Sequence, residues 1–295
     1  MKNTVFTGAG VAIVTPMNPD MSINYKKLGE LIDWQIDGGA DAIIICGTTG
    51  ESTTMTDDEH IDCIKFAVER TNKRVPVVAG TGSNDTAYAV MMSQEADKAG
   101  ADALLVVTPY YNKTSQRGLI KHFETIADSV SIPLILYNVP GRTGMTIAVD
   151  TYKKLSQHPN IVATKEASGD LSHIAEVIAT CGDNLDVYSG VDEQIVPILS
   201  LGGKGTISVL ANCMPKQTHD MCQLYFDGNV DESKVLQLEL MNFINSLFMD
   251  VNPIPVKEAL NIMGKNVGEC RMPLLKMTDK QIDKLKYEMK KVNLI

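Results

Sequence analysis

The chain has 295 residues, of which 44% are hydrophobic and 21% are charged, and its formal net charge is −9. This length exceeds one ordinary domain but suits a barrel domain of about 250 residues. The acidic balance argues against nucleic acid and anionic membranes as partners, and no apolar run approaches the ~18 residues of a membrane span.

Eight short apolar runs predict strands that are buried on both faces, as in a parallel sheet. In chain order they span residues 11–15, 42–46, 76–80, 103–108, 134–138, 161–165, 187–190 and 205–209. Amphipathic stretches between them predict helices over residues 25–37, 57–70, 86–99, 115–129, 149–157, 171–180 and 193–201. The alternation predicts an α/β fold, a (β/α)8 TIM barrel.

The pattern changes near residue 214, where strand-like runs end and helical stretches take over. These predicted helices span residues 216–226, 231–248, 255–263 and 278–292. We predict a catalytic barrel over residues 1–225 and a small C-terminal helical extension over residues 226–295.

Lys165 ends the predicted strand at 161–165, and the active sites of such barrels lie at the carboxyl ends of the strands. Lysine is rarely buried without a reason, and desolvation in general lowers the pKa of an amine and frees its lone pair to attack a carbonyl. The alternative is a structural lysine that reaches solvent or pairs with Glu166. Adjacent strand residues point to opposite faces, which makes Glu166 a poor partner. From the pattern alone, both interpretations stay open.

Other polar residues follow the strands. Tyr137 could shuttle protons beside an amine, or be an ordinary core tyrosine. Thr48 and Thr49 lie in a glycine-flanked turn that could hold a carboxylate, although polar turns are common. Arg142 lies in a predicted tight loop and suits bidentate carboxylate binding, although most loop arginines are merely exposed.

The chain lacks the common cofactor motifs. Its five histidines form no HxH or HExxH, and no GxGxxG follows a strand. We therefore expect no metal and no nicotinamide cofactor. The six cysteines form no CxxC pair, and the N-terminus does not resemble a signal peptide. Reduced cysteines are typical of a cytoplasmic protein, which is the location we predict.

Three segments resemble a known enzyme family. The segments are GTTGE at 47–51, YNVPGRTG at 137–144 and KEASG at 165–169. Together, in order and spacing, they resemble the dihydrodipicolinate synthase / N-acetylneuraminate lyase family over essentially the whole chain. Within the family, the chain resembles the branch that joins pyruvate to L-aspartate 4-semialdehyde, because that branch has an arginine at the place of Arg142 in the second segment.

The resemblance implies roles for eight residues. The catalytic set would be Lys165, which forms the Schiff base, and the proton-relay residues Tyr137, Thr48 and Tyr111. The substrate-binding set would be Thr49, Arg142, Gly190 and Ile207. Tyr111 would reach the active site of a neighbouring subunit, which implies at least a dimer; we expect a tetramer.

The implied reaction is a class I aldolase-type lyase step that yields 4-hydroxy-tetrahydrodipicolinate, the first committed step of diaminopimelate and lysine biosynthesis, without a cofactor. An alternative is a related pyruvate-dependent aldolase that acts on a sugar acid, against which Arg142 argues. Another is an inactive barrel that senses pyruvate or lysine.

The lysine-binding allosteric site of the family's sensitive members is matched in part. The matching residues are Ser52, His60, Asn84 and Tyr110. Thr53 replaces a small residue, Asp57 replaces a histidine and Tyr88 replaces a glutamate. Without that glutamate, one carboxylate for an amino group of lysine is missing, so we predict weak or absent feedback inhibition.

Overall fold

The computed structural model describes residues 2–295. Eight parallel strands pair in chain order, and the last pairs with the first, so the sheet closes into a barrel. The strands are β1 Gly8–Ala12, β2 Ala42–Ile45, β3 Val77–Gly80, β4 Ala103–Val107, β5 Leu134–Asn138, β6 Ile161–Glu166, β7 Asp186–Ser189 and β8 Gly205–Ser208. The predicted TIM barrel is confirmed.

The first strand was predicted three residues too late. β1 covers Gly8–Ala12 rather than 11–15, and its register pairs Gly8 with Gly205 of β8. Its first half is built from glycine and alanine, which carry little apolar signal. At its far end the chain leaves the sheet: Thr15 donates its hydroxyl to the carbonyl of Gly50 at 2.7 Å.

Among residues 2–295, nine α-helices alternate with the strands or follow β8. They are α1 Tyr25–Asp37, α2 Asp57–Thr71, α3 Thr86–Lys98, α4 Gln116–Ala127, α5 Pro140–Thr143, α6 Val149–Leu155, α7 Leu171–Cys181, α8 Ile195–Ser200 and α9 Pro215–Phe226. Local sequence sets several of their ends. Helix α2, for example, begins after Thr56, whose hydroxyl accepts from the backbone of Glu59 while the Glu59 carboxylate accepts from the backbone of Thr56. The single turn α5 was not predicted.

Within the described residues 2–295, three further α-helices follow, and they are α10 Val230–Ser246, α11 Ile254–Ile262 and α12 Asp279–Lys291. Buried side chains of α10 and α12, such as Phe243 and Leu285, belong to the same apolar cluster as the residues between the sheet and the surrounding helices. The division predicted between residues 225 and 226 falls at the last residues of α9 and stays a prediction. Among residues 2–295, no helix has both the length and the apolarity to cross a membrane.

The barrel interior is a second, smaller apolar cluster. It includes Ile135 and Tyr137 of β5, Ala163 of β6 and Tyr188 of β7. The Tyr188 ring stacks on Phe6 with centroids 4.3 Å apart, and its hydroxyl donates to the Phe6 carbonyl at 2.6 Å. Phe6 precedes β1, so this stack fills the amino-terminal end of the barrel. The opposite end, where the strands finish, is left for a site.

Candidate active site

Lys165 lies inside the barrel near the carboxyl end of β6. The register places Lys165 between Tyr137 of β5 and Tyr188 of β7. Ala163, two positions earlier, faces the interior cluster, and the alternation of side chains along a strand puts Lys165 on the same face. The lysine is 6% exposed, and its Nζ lies 4.5 Å from the centroid of the Tyr137 ring. The structure therefore brings the predicted nucleophile and phenol together.

Glu166 points away from the interior, as the strand alternation requires. Its carboxylate accepts hydrogen bonds from Asn138 Nδ2 at 2.9 Å and from the hydroxyls of Tyr152 and Ser168. Burial, together with the charge of Glu166, raises the pKa of the Tyr152 hydroxyl well above its ordinary value. Glu166 is thus engaged on the outer side of the sheet, and none of the ion pairs formed among residues 2–295 involves Lys165.

A second buried acid, Asp192, follows β7. It is 2% exposed, and its Oδ2 accepts from the backbone N–H groups of Val209 and Leu210 at 3.0 and 2.8 Å. Burial raises the pKa of this carboxyl, while the hydrogen bonds and the positive charge of Lys165 act in the opposite direction. The Asp192 carboxyl and the Lys165 amine therefore interact electrostatically.

A cavity of about 250 Å³ opens at the carboxyl end of the strands. Thr48, Tyr137 and Arg142 all line it, so three residues of the predicted catalytic and substrate-binding sets meet there. Its other walls are formed by Cys46, Gly47, Ser52, Thr53, Gly80, Gly82, Leu105, Val107, Tyr110, Val139 and Thr143. The cavity combines an apolar wall with a few polar groups, which is the usual composition of a small-molecule site.

Gly190 and Ile207, both predicted to bind substrate, lie at the end of β7 and within β8, the two strands that follow the β6 strand of Lys165. Gly190 follows β7, and a Cβ added there would lie 3.0 Å from Lys165 Cε and 2.8 Å from the Cβ of Ala167. Glycine is therefore required for the backbone to pass this close to Lys165. Ile207 on β8 is 1% exposed and belongs to the interior cluster.

Tyr111 does not join these residues within one chain. It is 93% exposed, and its φ of +64° is a left-handed conformation that a tyrosine rarely adopts. The adjacent Tyr110, in contrast, lines the cavity.

Thr49 and Arg142 are linked through Asn252, a residue that the sequence analysis did not single out. The Asn252 amide Nδ2 donates to Thr49 Oγ1 at 3.0 Å, and Arg142 Nη2 donates to the Asn252 carbonyl at 3.2 Å. Arg142 lies in the helical turn α5, not in the tight loop that was predicted, because Pro140 starts a turn of helix and Gly144 ends it. No local pattern marks Asn252, which is 203 residues from Thr49.

The four residues that match the allosteric pattern are only partly together. Ser52 and Tyr110 line the cavity, whereas Asn84 borders a separate surface cleft of about 260 Å³. The buried His60 ring lies 2.8 Å from the Gly80 carbonyl through Nε2, and burial lowers its pKa. Nε2 of the neutral ring is therefore already used within the fold.

Residues 2–295 contain no group of three or more His, Cys, Asp or Glu side chains placed to hold a metal ion. The polar groups of the site are an amine, hydroxyl groups, a guanidinium, the Asp192 carboxyl and backbone groups.

The family model described as the Dihydrodipicolinate synthetase family matches residues 5–292. The chain belongs to this family. The resemblance found in the three sequence segments is confirmed over nearly the full length.

Curated relatives and solved structures agree with this membership. A 4-hydroxy-tetrahydrodipicolinate synthase of Acetivibrio thermocellus is 55% identical over 295 residues, which is 100% of both chains. One of Lachnoclostridium phytofermentans is 57% identical and covers 99% of each chain. The crystal structure of a chloride-inhibited dihydrodipicolinate synthase of Acinetobacter baumannii, complexed with pyruvate, superposes with a TM-score of 0.97 at 41% identity and covers 99% of this chain and 100% of the other.

Proposed function

We propose that this chain condenses pyruvate with L-aspartate 4-semialdehyde through a Schiff base on Lys165 and yields 4-hydroxy-tetrahydrodipicolinate. The observation that carries the proposal is the placement of Lys165, buried beside Tyr137 and without an ion-pair partner among residues 2–295. The 4-hydroxy-tetrahydrodipicolinate synthase name of relatives that match over their full length supports this reaction.

The first half-reaction activates pyruvate. The Lys165 amine attacks the ketone carbon to give a carbinolamine, which loses water to form an iminium ion. Loss of a proton from the methyl group then gives an enamine, a carbon nucleophile. The iminium nitrogen serves as the electron sink, so these steps need no cofactor.

The second half-reaction joins the two substrates. The enamine carbon attacks the aldehyde of the semialdehyde, whose oxygen takes up a proton and becomes the hydroxyl group. The amino group of the new chain then attacks the iminium carbon, closes the ring and expels the Lys165 amine. Tyr137, Thr48 and Tyr111 are proposed to carry the protons, since hydroxyls can both donate and accept.

The carboxylate groups of the substrates need their own partners. We assign the pyruvate carboxylate to Thr49 and the turn that contains it, and the semialdehyde carboxylate to Arg142, whose guanidinium lines the cavity. Gly190 and Ile207 border the pyruvate from the β7 and β8 sides. A guanidinium at the cavity wall also weighs against the alternative of sugar-acid cleavage.

The relay requires a neighbouring subunit, because Tyr111 is exposed in the single chain. We therefore propose a homo-oligomer, at least a dimer and in its complete form a tetramer. Within it, Tyr111 of one subunit would complete the site of another. Separately, we propose that the protein acts in the cytoplasm, as the unpaired cysteines of the sequence predict.

Borohydride trapping tests the proposal. Reduction in the presence of pyruvate should attach pyruvate to the native protein, and mass spectrometry should place the adduct on Lys165. Lys165→Ala should give none, whereas Lys98→Ala, at a side chain that is 69% exposed, should behave as the native chain.

Consumption of pyruvate should require L-aspartate 4-semialdehyde. Release of pyruvate from N-acetylneuraminate or 2-keto-3-deoxygluconate, with no condensation activity, would reverse the assignment, and absence of any adduct would favour an inactive sensor.

A further inference from the structure

We propose that Asn252, in the segment between α10 and α11, is a positioning residue that orients Thr49 and Arg142 toward the two substrate carboxylates. The inference rests on the proposed function and adds a residue of the C-terminal part of the chain to the site. Its basis is that one residue is hydrogen-bonded to both predicted carboxylate binders.

The side chain of Asn252 determines which way the Thr49 hydroxyl points. Asn252 Nδ2 donates to Thr49 Oγ1 at 3.0 Å in a buried contact. A hydroxyl has one hydrogen to donate, and a lone pair of its oxygen is here occupied by the amide. Among residues 2–295, Thr49 Oγ1 donates no hydrogen bond of its own, and the residue is only 3% exposed. The hydroxyl hydrogen is thus left for an acceptor such as a carboxylate.

The backbone of Asn252 restrains Arg142 in a complementary way. Its carbonyl accepts from Nη2 of the guanidinium at 3.2 Å. The remaining N–H groups of the guanidinium stay available for a second carboxylate. This contact uses the main chain, so it does not depend on the side chain at position 252.

The environment of Asn252 indicates that its amide is not retained for stability alone. The residue is 6% exposed, and its Oδ1 has no hydrogen-bond partner among residues 2–295. An apolar side chain would avoid this unpaired acceptor. Asn252 also borders a cavity of about 150 Å³ that shares Thr48 and Arg142 with the main site.

Two substitutions separate the roles of side chain and backbone. Asn252→Ala removes the amide but keeps the carbonyl. The pyruvate concentration for half-maximal borohydride trapping should rise about tenfold, as expected for one lost hydrogen bond, while the KM for the semialdehyde changes less than about twofold.

Asn252→Asp keeps the shape but replaces the donor by an acceptor. The Thr49 hydroxyl would then donate to Asp and turn away from pyruvate, so trapping at neutral pH should fall below that of Asn252→Ala. Relative to the native protein at the same pH, trapping should recover as the pH falls and the new carboxyl becomes protonated, a pH dependence that a merely structural role would not produce.

Controls distinguish this inference from failure of the proposed function. Asn242→Ala, at an exposed position of α10, should match the native chain. In a Thr49→Val background, Asn252→Ala should have no further effect on pyruvate trapping. The inference is overturned if native and Asn252→Ala proteins, both folded by circular dichroism, trap pyruvate with the same concentration dependence, or if the Ala effect persists in the Thr49→Val background. If Asn252→Ala does not fold, the Asp variant decides through its pH profile. Failure of the proposed function would instead appear as no adduct on the native protein.

Discussion

Tyr88 and Asp57 pair with each other at the residue scale. The Tyr88 hydroxyl donates to Asp57 Oδ1 at 2.7 Å. Burial, followed by this hydrogen bond and the charge of Asp57, raises the pKa of Tyr88 to about 12. At neutral pH the phenol therefore stays protonated and keeps its bond to the carboxylate. Both positions depart from the pattern of the lysine-sensitive members, where a histidine and a glutamate stand.

The pairing predicts that submillimolar L-lysine leaves the condensation activity unchanged. The reason is that no glutamate stands at position 88 and the Asp57 carboxylate is already bonded to Tyr88. A double variant, Asp57→His with Tyr88→Glu, should gain inhibition, measured as a fall in pyruvate consumption. Asp58→His with Tyr88 intact is the matched control and should gain none. Full inhibition of the native protein would contradict the prediction.

At the scale of elements, the C-terminal part of the chain is joined to the turn at residues 47–51 by a buried ion pair. Lys257 of α11 contacts Glu51 Oε1 at 2.8 Å, and both side chains are 2% exposed. Lys257 also donates to the carbonyls of Thr15 and Glu269, and Glu51 Oε2 accepts from the backbone of Arg271 at 2.8 Å. Glu51 itself is left-handed, with φ +59°. The conformation of the turn that holds Thr48 and Thr49 thus depends on α11 and on the residues after it.

Lys257→Met should destabilise the fold strongly, by about 3–5 kcal/mol, because it leaves the Glu51 carboxylate buried and unpaired. Adding Glu51→Gln should recover part of this loss, since the charge is then removed. Urea unfolding followed by circular dichroism measures both free energies. Lys216→Met, which breaks an exposed pair with Asp220, should cost less than about 1 kcal/mol. An equal loss of unfolding free energy in Lys257→Met and Lys216→Met would show that burial of an ion pair does not determine how much it contributes to stability.

At the scale of the whole molecule, Tyr111 is the feature that one chain does not explain. A large aromatic side chain that is 93% exposed, on backbone with φ +64°, combines strain with exposure of apolar surface. Both observations have one explanation if the ring is covered by, and acts in, a second subunit. The single-chain site then lacks one of its three proposed proton carriers.

Subunit complementation tests this arrangement. Tyr111→Phe and Lys165→Ala homo-oligomers should each have little condensation activity. When the two chains are coexpressed and assemble at random, a mixed pair should contain one complete site, so about a quarter of the native activity should return. Mixing Tyr137→Phe with Lys165→Ala is the contrasting case, because both residues belong to the site of one chain and mixed oligomers should regain nothing. No recovery when Tyr111→Phe is mixed with Lys165→Ala would place Tyr111 in its own subunit or outside the relay.

Most of the barrel could be predicted from sequence because its signals are local. Continuous apolar runs mark strands that are buried on both faces, and Lys165 is conspicuous because it ends one of them. The same reasoning misplaced β1, where Gly8 and Ala9 carry little apolar signal and pairing with β8 defines the start. It also missed α5, a single turn that Pro140 begins and Gly144 ends.

The sequence by itself determined the fold class and the family and predicted the nucleophile, since these depend on periodicity, on motif spacing and on the position of Lys165 at the end of an apolar run. Only the tertiary structure decided the surroundings of that lysine. Tyr137 lies beside it because β5 and β6 pair in that register, and Asn252 joins Thr49 to Arg142 although each is more than a hundred residues away. Such contacts arise from closure of the barrel and packing of the last helices, and no local sequence pattern records them.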